Sequence, residues 1–278
     1  MNKTFVLLTI PVLLGAACLS VPASTGAQAP VTLTPAIVNE LAPTGKLRVS
    51  LYVLNTAGFV TKDPKTGELS GIWPEVAKEL ATRLRVPYTI VGLENAATLY
   101  DPLKKGEVDV MLTDASFGFD DPRCKGVEFT QSFAQTPMTV LVKADSPIKT
   151  LADLQKPGVR ITTITGAASD ILLARNYGQA QIVRASGATL YDAIKAGQAD
   201  AAIGSLPGQL TFTNANLGYR ILDEPFSSLE QGFALAKGHP AALAYLMTFV
   251  EDIKASGLVH RLIERSGRKG IVVPPKAP

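Results

Sequence analysis

The chain has 278 residues, with 27 lysines and arginines against 24 aspartates and glutamates, and 46% of its residues are hydrophobic. The basic residues are scattered without aromatic interleaving, which argues against nucleic acid as a partner. Two cysteines and two histidines, His239 and His260, do not make a His/Cys metal cluster or a Ser/His/Asp triad, so no metal or other cofactor is expected.

The first 29 residues read as an export signal. Lys3 precedes an apolar stretch from Phe5 to Leu19, followed by small residues and a candidate cleavage site at Ala27-Gln28-Ala29. A basic tip, a short apolar core and an Ala-x-Ala end describe a secretory leader, too short for a membrane span. Pro30 hinders cleavage after Ala29, which leaves Thr25-Gly26-Ala27 and Val21-Pro22-Ala23 as alternatives. Gly15-Ala16-Ala17-Cys18 is a poor lipobox, because a larger aliphatic residue is expected three positions before the cysteine; release into the periplasm is favoured over a lipid anchor at Cys18. No later apolar stretch reaches the length of a span, and the remaining chain of about 250 residues suffices for two domains. Without Cys18, Cys124 has no disulfide partner. Its neighbours Arg123 and Lys125 favour the thiolate, but no histidine is available to act with it, and a structural role is expected.

Residues 30–45 form an N-terminal arm, rich in proline and threonine, with a helical patch from Ile37 to Leu41. A strand follows from Lys46 to Val53 and ends in the polar turn Asn55-Thr56-Ala57-Gly58. Asp63-Pro64-Lys65-Thr66-Gly67 has the chemistry of a tight turn. Gly71-Ile72-Trp73-Pro74-Glu75 opens a helix: Pro74 suits a first turn, and Val76, Ala77, Leu80, Ala81 and Leu84 form an apolar stripe. A strand at Tyr88–Val91, a helix from Ala96 to Lys105 and a buried strand at Gly106–Leu112 continue the alternation. Arg123 then precedes the run Val127-Glu128-Phe129-Thr130-Gln131-Ser132-Phe133, and Met138–Val142 is a further strand. An arginine at such a place can hold an anion bidentately, as lysine cannot, although surface arginines before strands are common.

A second unit with the same grammar begins after Val142. It has a short helix at Thr150–Leu154 and a strand at Gly158–Ile164. The strand runs through Thr165-Gly166-Ala167-Ala168-Ser169 into a helix ending at Arg175. A strand at Gln181–Val183, a helix from Leu190 to Ala196 and a strand at Asp200–Gly204 follow. Tyr219–Leu222 and Glu230–Ala236 come next, then a long helix from Pro240 to Lys254 that Gly257 terminates, and a last helix from Leu258 to Arg265. Strands and helices alternating at this spacing imply an open α/β sheet.

This collinear order, with Arg123 between two strands, resembles the extracytoplasmic solute-binding proteins of ABC importers, in the family that binds polar amino acids. The resemblance covers about Lys46 to Gly267. It implies the type II periplasmic binding fold: two α/β lobes, each an open and mostly parallel sheet flanked by helices, joined by two hinge strands. Residues 46–138 would form the first part of lobe one, 139–230 lobe two, and 231–278 the return, with crossings at Thr136–Val142 and Gln231–Lys237. The implied function is delivery of a small polar or anionic solute to a permease in the inner membrane, by a monomer without enzymatic activity.

Within that resemblance Arg123 takes the place of the arginine that clamps the solute's carboxylate. Thr165, Gly166, Ala167 and Ala168, ahead of a helix, would receive an anion on backbone amides from the other lobe; a plain helix cap by Thr165 or Ser169 is the competing account. Trp73 and Phe59 are candidates to stack on the solute or to fill core, and Asn55 is a candidate contact. The chain also departs from the family. Where an aspartate is expected to accept the solute's amino group, five positions after Asp200, stands Ser205. Gly118 replaces an expected threonine, and the segment from Asp114 to Asp121 is two residues long for the pattern. A buried ammonium without a partner is costly. Either Asp114 or Asp120 compensates, or the solute lacks an amino group.

Two other functions fit the scaffold. One is a periplasmic dehydratase of the cyclohexadienyl type, with Glu94, Asp114 or Glu128 as its acid or base. The other is a sensor input or accessory binding protein, which an isolated gene without adjacent permease and ATPase genes would favour.

Overall fold

Two arginine–aspartate pairs, one in each half of the chain, frame the architecture of the computed structural model, which describes residues 31–53, 59–95, 98–114 and 121–277. In chain order, Pro35–Leu41 (α1), Leu47–Tyr52 (β1), Thr61–Lys62 (β2), Leu69–Ser70 (β3), Ile72–Leu84 (α2), Tyr88–Leu93 (β4), Asp101–Lys104 (α3), Val110–Asp114 (β5), Val127–Phe129 (β6) and Ala134–Lys143 (β7) come first. Arg160–Ile164 (β8), Ala168–Asn176 (α4), Gln181–Ala185 (β9), Asp192–Lys195 (α5), Ala201–Ser205 (β10), Leu206–Ala215 (α6) and Tyr219–Ile221 (β11) follow. Ser227–Ala236 (β12), Pro240–Ala255 (α7) and Leu258–Ser266 (α8) complete the order.

Ten strands make one mixed sheet, ordered β4-β1-β5-β12-β7-β10-β8-β9, with β6 on β12 and β11 on β7. The β4–β1–β5 and β9–β8–β10 ends are parallel, and β7 and β12 run antiparallel to their neighbours. At the start of β1, the Asp109 carboxylate accepts from the Arg48 backbone N–H at 2.8 Å and from its Nε at 3.1 Å. At the start of β8, Asp200 does the same for Arg160, at 2.9 and 3.1 Å. Each pair ties the first strand of a parallel set to the strand that pairs beside it.

Among the described residues, four buried apolar clusters form, and two of them are the largest cores. One gathers Leu47, Val49, Leu80, Phe133 and Phe233 with Phe249, Ile253 and Leu262 of the last two helices. The α2 stripe read from the sequence, Val76, Ala77, Leu80, Ala81 and Leu84, is buried there. The other core gathers Met138, Val140, Ile161, Leu173, Ile203 and Leu222. Residues read as an arm are docked: Ile37 and Leu41 of α1 belong to the first core, and Glu40 accepts from the Ala242 N–H at the start of α7.

The strands that pass between the cores pair with each other over 134–138 and 227–231. The paired stretch of β12 begins at Ser227. The segment placed at the crossing by sequence, Gln231–Lys237, has already joined β5 and β6. The run Val127–Phe133 also divides, because β6 pairs with the far end of β12 while β7 starts at Ala134. The expected Ala96–Lys105 helix is only Asp101–Lys104, since Pro102 fits no later than a first turn; Ala96 and Ala97 lie outside the described residues.

Helix α6 was not foreseen. Its sequence, Leu-Pro-Gly-Gln-Leu-Thr-Phe-Thr-Asn-Ala, has no 3.6-residue apolar rhythm and poor helix formers. Tertiary contacts hold it instead. The fully buried Gln209 amide donates to the Thr139 and Ala202 carbonyls at 2.8 and 3.1 Å and accepts from the Thr139 hydroxyl at 2.7 Å.

Candidate functional site

The carboxyl ends of β1, β5, β8 and β10 converge on one cleft of about 610 Å³. Such ends are where ligands sit in open α/β sheets, because the strands stop there and their loops diverge. Tyr52, Trp73, Leu99, Thr113, Asp114 and Arg123 line one wall. Ile164 through Ser169, with Leu190, Tyr191 and Ser205, line the other, and Met138, Leu229 and Gln231 of the crossing strands lie between.

Arg123 sits in a single 3-10 turn, Pro122–Cys124, which Asp121 caps by accepting from the Arg123 N–H at 2.9 Å. The same carboxylate takes the Arg123 Nε at 2.9 and 3.0 Å and pairs with Nη2. Asp121 raises the guanidinium's pKa further, and Arg123 holds the Asp121 carboxyl below its usual range. Asp121 thereby braces one edge of the guanidinium, and Arg123 lines the cleft. Next to it Cys124 is buried, and burial pushes its thiol up. The expectation that flanking cations favour a thiolate fails because desolvation outweighs them.

Across the cleft, Thr165, Gly166, Ala167 and Ala168 form the entry to α4. The cap expected from Thr165 or Ser169 is absent: the Thr165 hydroxyl donates to the Ala185 carbonyl, Ser169 bonds Thr163, and the N-cap Ala167 has no side chain to offer. Gly166, at φ +70°, gives its N–H to Asp170, whose carboxylate also takes Arg184 Nε. That bracing leaves the first-turn amides of α4, which have no acceptor within the helix, at the cleft wall with the positive end of the helix dipole.

Ser205 ends β10 and makes no side-chain cap for α6. Tyr191 beside it stacks on Phe212 at 4.3 Å, and burial pushes its pKa to about 12, so its hydroxyl stays neutral. Asp114 is the only carboxylate among the described lining residues, and its Oδ1 accepts from the Glu230 N–H at 3.0 Å.

Of the remaining candidates, one falls elsewhere and one lies outside the described residues. Phe59 is fully buried behind the wall, with its ring 5.7 Å from that of Trp73, so it supports the indole and does not meet solvent. Asn55, like Gly118 and Asp120, lies outside the described residues. Sequence reasoning missed Tyr52, Leu99, Met138, Leu190, Tyr191, Leu229 and Gln231. The strand-end rule was a signal for Tyr52; the apolar ones carry no mark that separates a cleft wall from core.

The model of the bacterial extracellular solute-binding proteins, family 3, matches residues 52–268. The chain is 31% identical over 205 residues to a glutamine-binding protein of Geobacillus stearothermophilus, covering 69% of this chain and 73% of that one. It is similar in structure to a putative binding component of an ABC transporter from Wolinella succinogenes complexed with lysine. The TM-score there is 0.65 and the identity 26%, over 80% of this chain and 95% of the other. The ancestral amino acid-binding protein AncCDT-1, a precursor of cyclohexadienyl dehydratase, matches with TM-score 0.62 and 26% identity, over 82% and 98%. The sheet order, the two cores joined by crossing strands and the match over most of the chain make this protein a member of the bacterial extracellular solute-binding proteins, family 3.

Proposed function

We propose that this protein is the exported solute receptor of an ABC importer and that it holds a small carboxylate-bearing solute between Arg123 and the amino end of α4. The observation that carries the reading is the placement of those two anion-binding features on facing walls of one cleft. The family membership, and relatives named for glutamine and bound to lysine, support an amino-acid-like solute and a permease as partner. No helix among the described residues is long and apolar enough to cross a membrane.

We favour binding over catalysis. Of the three acids considered for a dehydratase, Glu94 forms an exposed ion pair with Lys62 and Glu128 lies outside the cleft lining. That leaves Asp114 alone. A thermal-shift screen over amino acids, organic acids and opines tests the reading, because a solute that binds only the folded state raises the melting temperature by mass action. No shift with any carboxylate would sink it.

Ser205 faces the cleft without a charge, and no acidic side chain lines the second wall among the described residues. Among the described lining residues, Asp114 is the one carboxylate that an α-ammonium group could meet. Ser205→Asp is expected to weaken an anion that lacks an amino group and to strengthen α-amino acids, by roughly 1–3 kcal/mol in either direction. Calorimetry on matched acids with and without the α-ammonium checks it; equal shifts for both series would refute the assignment.

Closure is the expected mechanical response. The paired segments 134–138 and 227–231 are where the two halves meet, and a solute held by both walls should swing them as near-rigid bodies. Spin labels on opposite walls should approach on binding, while pairs within one wall keep their separation. Unchanged cross-cleft distances in the bound protein would refute closure.

A further inference from the structure

Ile164 and Leu190 line the cleft but belong to none of the four buried apolar clusters. Ile164 closes β8 half-buried, after Ile161, Thr162 and Thr163, which are fully buried. An isoleucine that packs on no core, at the carboxyl end of a strand, is apolar surface in the place where open sheets bind ligands. Leu190 is itself buried, beside Gly204 of β10. A Cβ on Gly204 would lie 3.1 Å from Leu190 and 3.3 Å from the Tyr191 hydroxyl, so this glycine leaves room for both. Tyr191 is held in turn by its stack on Phe212, which meets Tyr219 edge-on at 5.1 Å.

The polar side chains of this wall are mostly spent within the protein. The Thr165 hydroxyl donates to the Ala185 carbonyl and Ser169 bonds Thr163, which leaves Ser205 among the described residues. The charged groups of the described lining, Arg123 and Asp114, are both on the other wall. Most of the surface that the lining residues present to the cleft is apolar.

Resting on the carboxylate clamp proposed above, we infer that the solute is a carboxylic acid with an apolar body, and that Ile164, Leu190 and Tyr191 form the surface that selects it. Each methylene moved from water onto such a wall strengthens binding by about fourfold. A carboxamide or a second charge at the same place gives up its water for carbon and is penalised.

Isosteric pairs test this, because they hold size constant. Leucine is set against asparagine, and 4-methylpentanoate against succinamate, the same pair without the α-ammonium group; phenylalanine and 3-phenylpropanoate extend the body. By calorimetry, the apolar member of at least one pair should bind roughly tenfold or more tighter than its amide isostere, with a more negative heat-capacity change. Ile164→Thr keeps the branched shape and should reduce that preference roughly fivefold. Because Ile164 joins no core, the melting temperature of the unliganded variant should stay close to that of wild type, and that measurement separates lost selection from lost folding. Equal or tighter binding of the amide members, still weakened by Arg123→Ala, overturns this inference and leaves the clamp standing. An undiminished preference in Ile164→Thr overturns the role given to this wall. Binding of no carboxylate in either series overturns the clamp and this inference with it.

Discussion

Arg123→Ala weakens binding of the solute by about 2–5 kcal/mol, the usual cost of removing one partner from a desolvated charge pair. Arg123→Lys recovers only part of that, because a point charge cannot present the two parallel N–H groups of a guanidinium. The structure adds a second expectation. Asp121 binds Nε and Nη2 of the same guanidinium and so competes with the solute for its charge while holding its plane. Its carboxyl is kept low by Arg123 and remains ionised at neutral pH. Asp121→Asn should therefore change affinity far less than Arg123→Ala, since loss of competition offsets loss of orientation. Calorimetry on the three variants, with circular dichroism as a folding control, measures both effects. Unchanged affinity in a folded Arg123→Ala protein would refute the clamp.

Arg123 and the α4 entry were legible in the sequence because their chemistry is local: a fork-shaped cation and a glycine-bearing turn between strand and helix. The fold was legible for a related reason. Apolar strands and the α2 stripe recur at fixed spacing, and Gly257 adopts a left-handed φ of +71° between α7 and α8. What escaped was tertiary in origin. Helix α6 has no helical rhythm and is fastened by the Gln209 amide. The ten-residue strand β12 looks uniform in sequence; only its partners, β7 at one end and β5 and β6 at the other, divide it. Phe59 and Trp73 were equally plausible as wall or core, and the structure separates them by a single layer: one ring lines the cleft and the other supports it.

The repeated arginine–aspartate pair offers a comparison within one molecule. Asp109 and Asp200 bond their arginines through the same atoms, so geometry alone predicts equal contributions to stability. Burial predicts otherwise. The Asp109 side chain is 3% exposed and Arg48 25%, whereas Asp200 and Arg160 are each 37% exposed. Asp109→Ala removes a charged acceptor from a nearly dry site and strands the Arg48 backbone N–H along with the guanidinium. The expected loss is about 2–4 kcal/mol. At the outer pair, water replaces the carboxylate and screening has already weakened it, so Asp200→Ala should cost far less. Urea unfolding of both variants decides the matter through the midpoint, provided the slope is unchanged. A salt titration sharpens it: added salt should narrow the difference between wild type and Asp200→Ala while leaving the Asp109→Ala deficit nearly intact. Equal losses at the two sites would mean that the strand tie, and not the dryness of its surroundings, sets the energy.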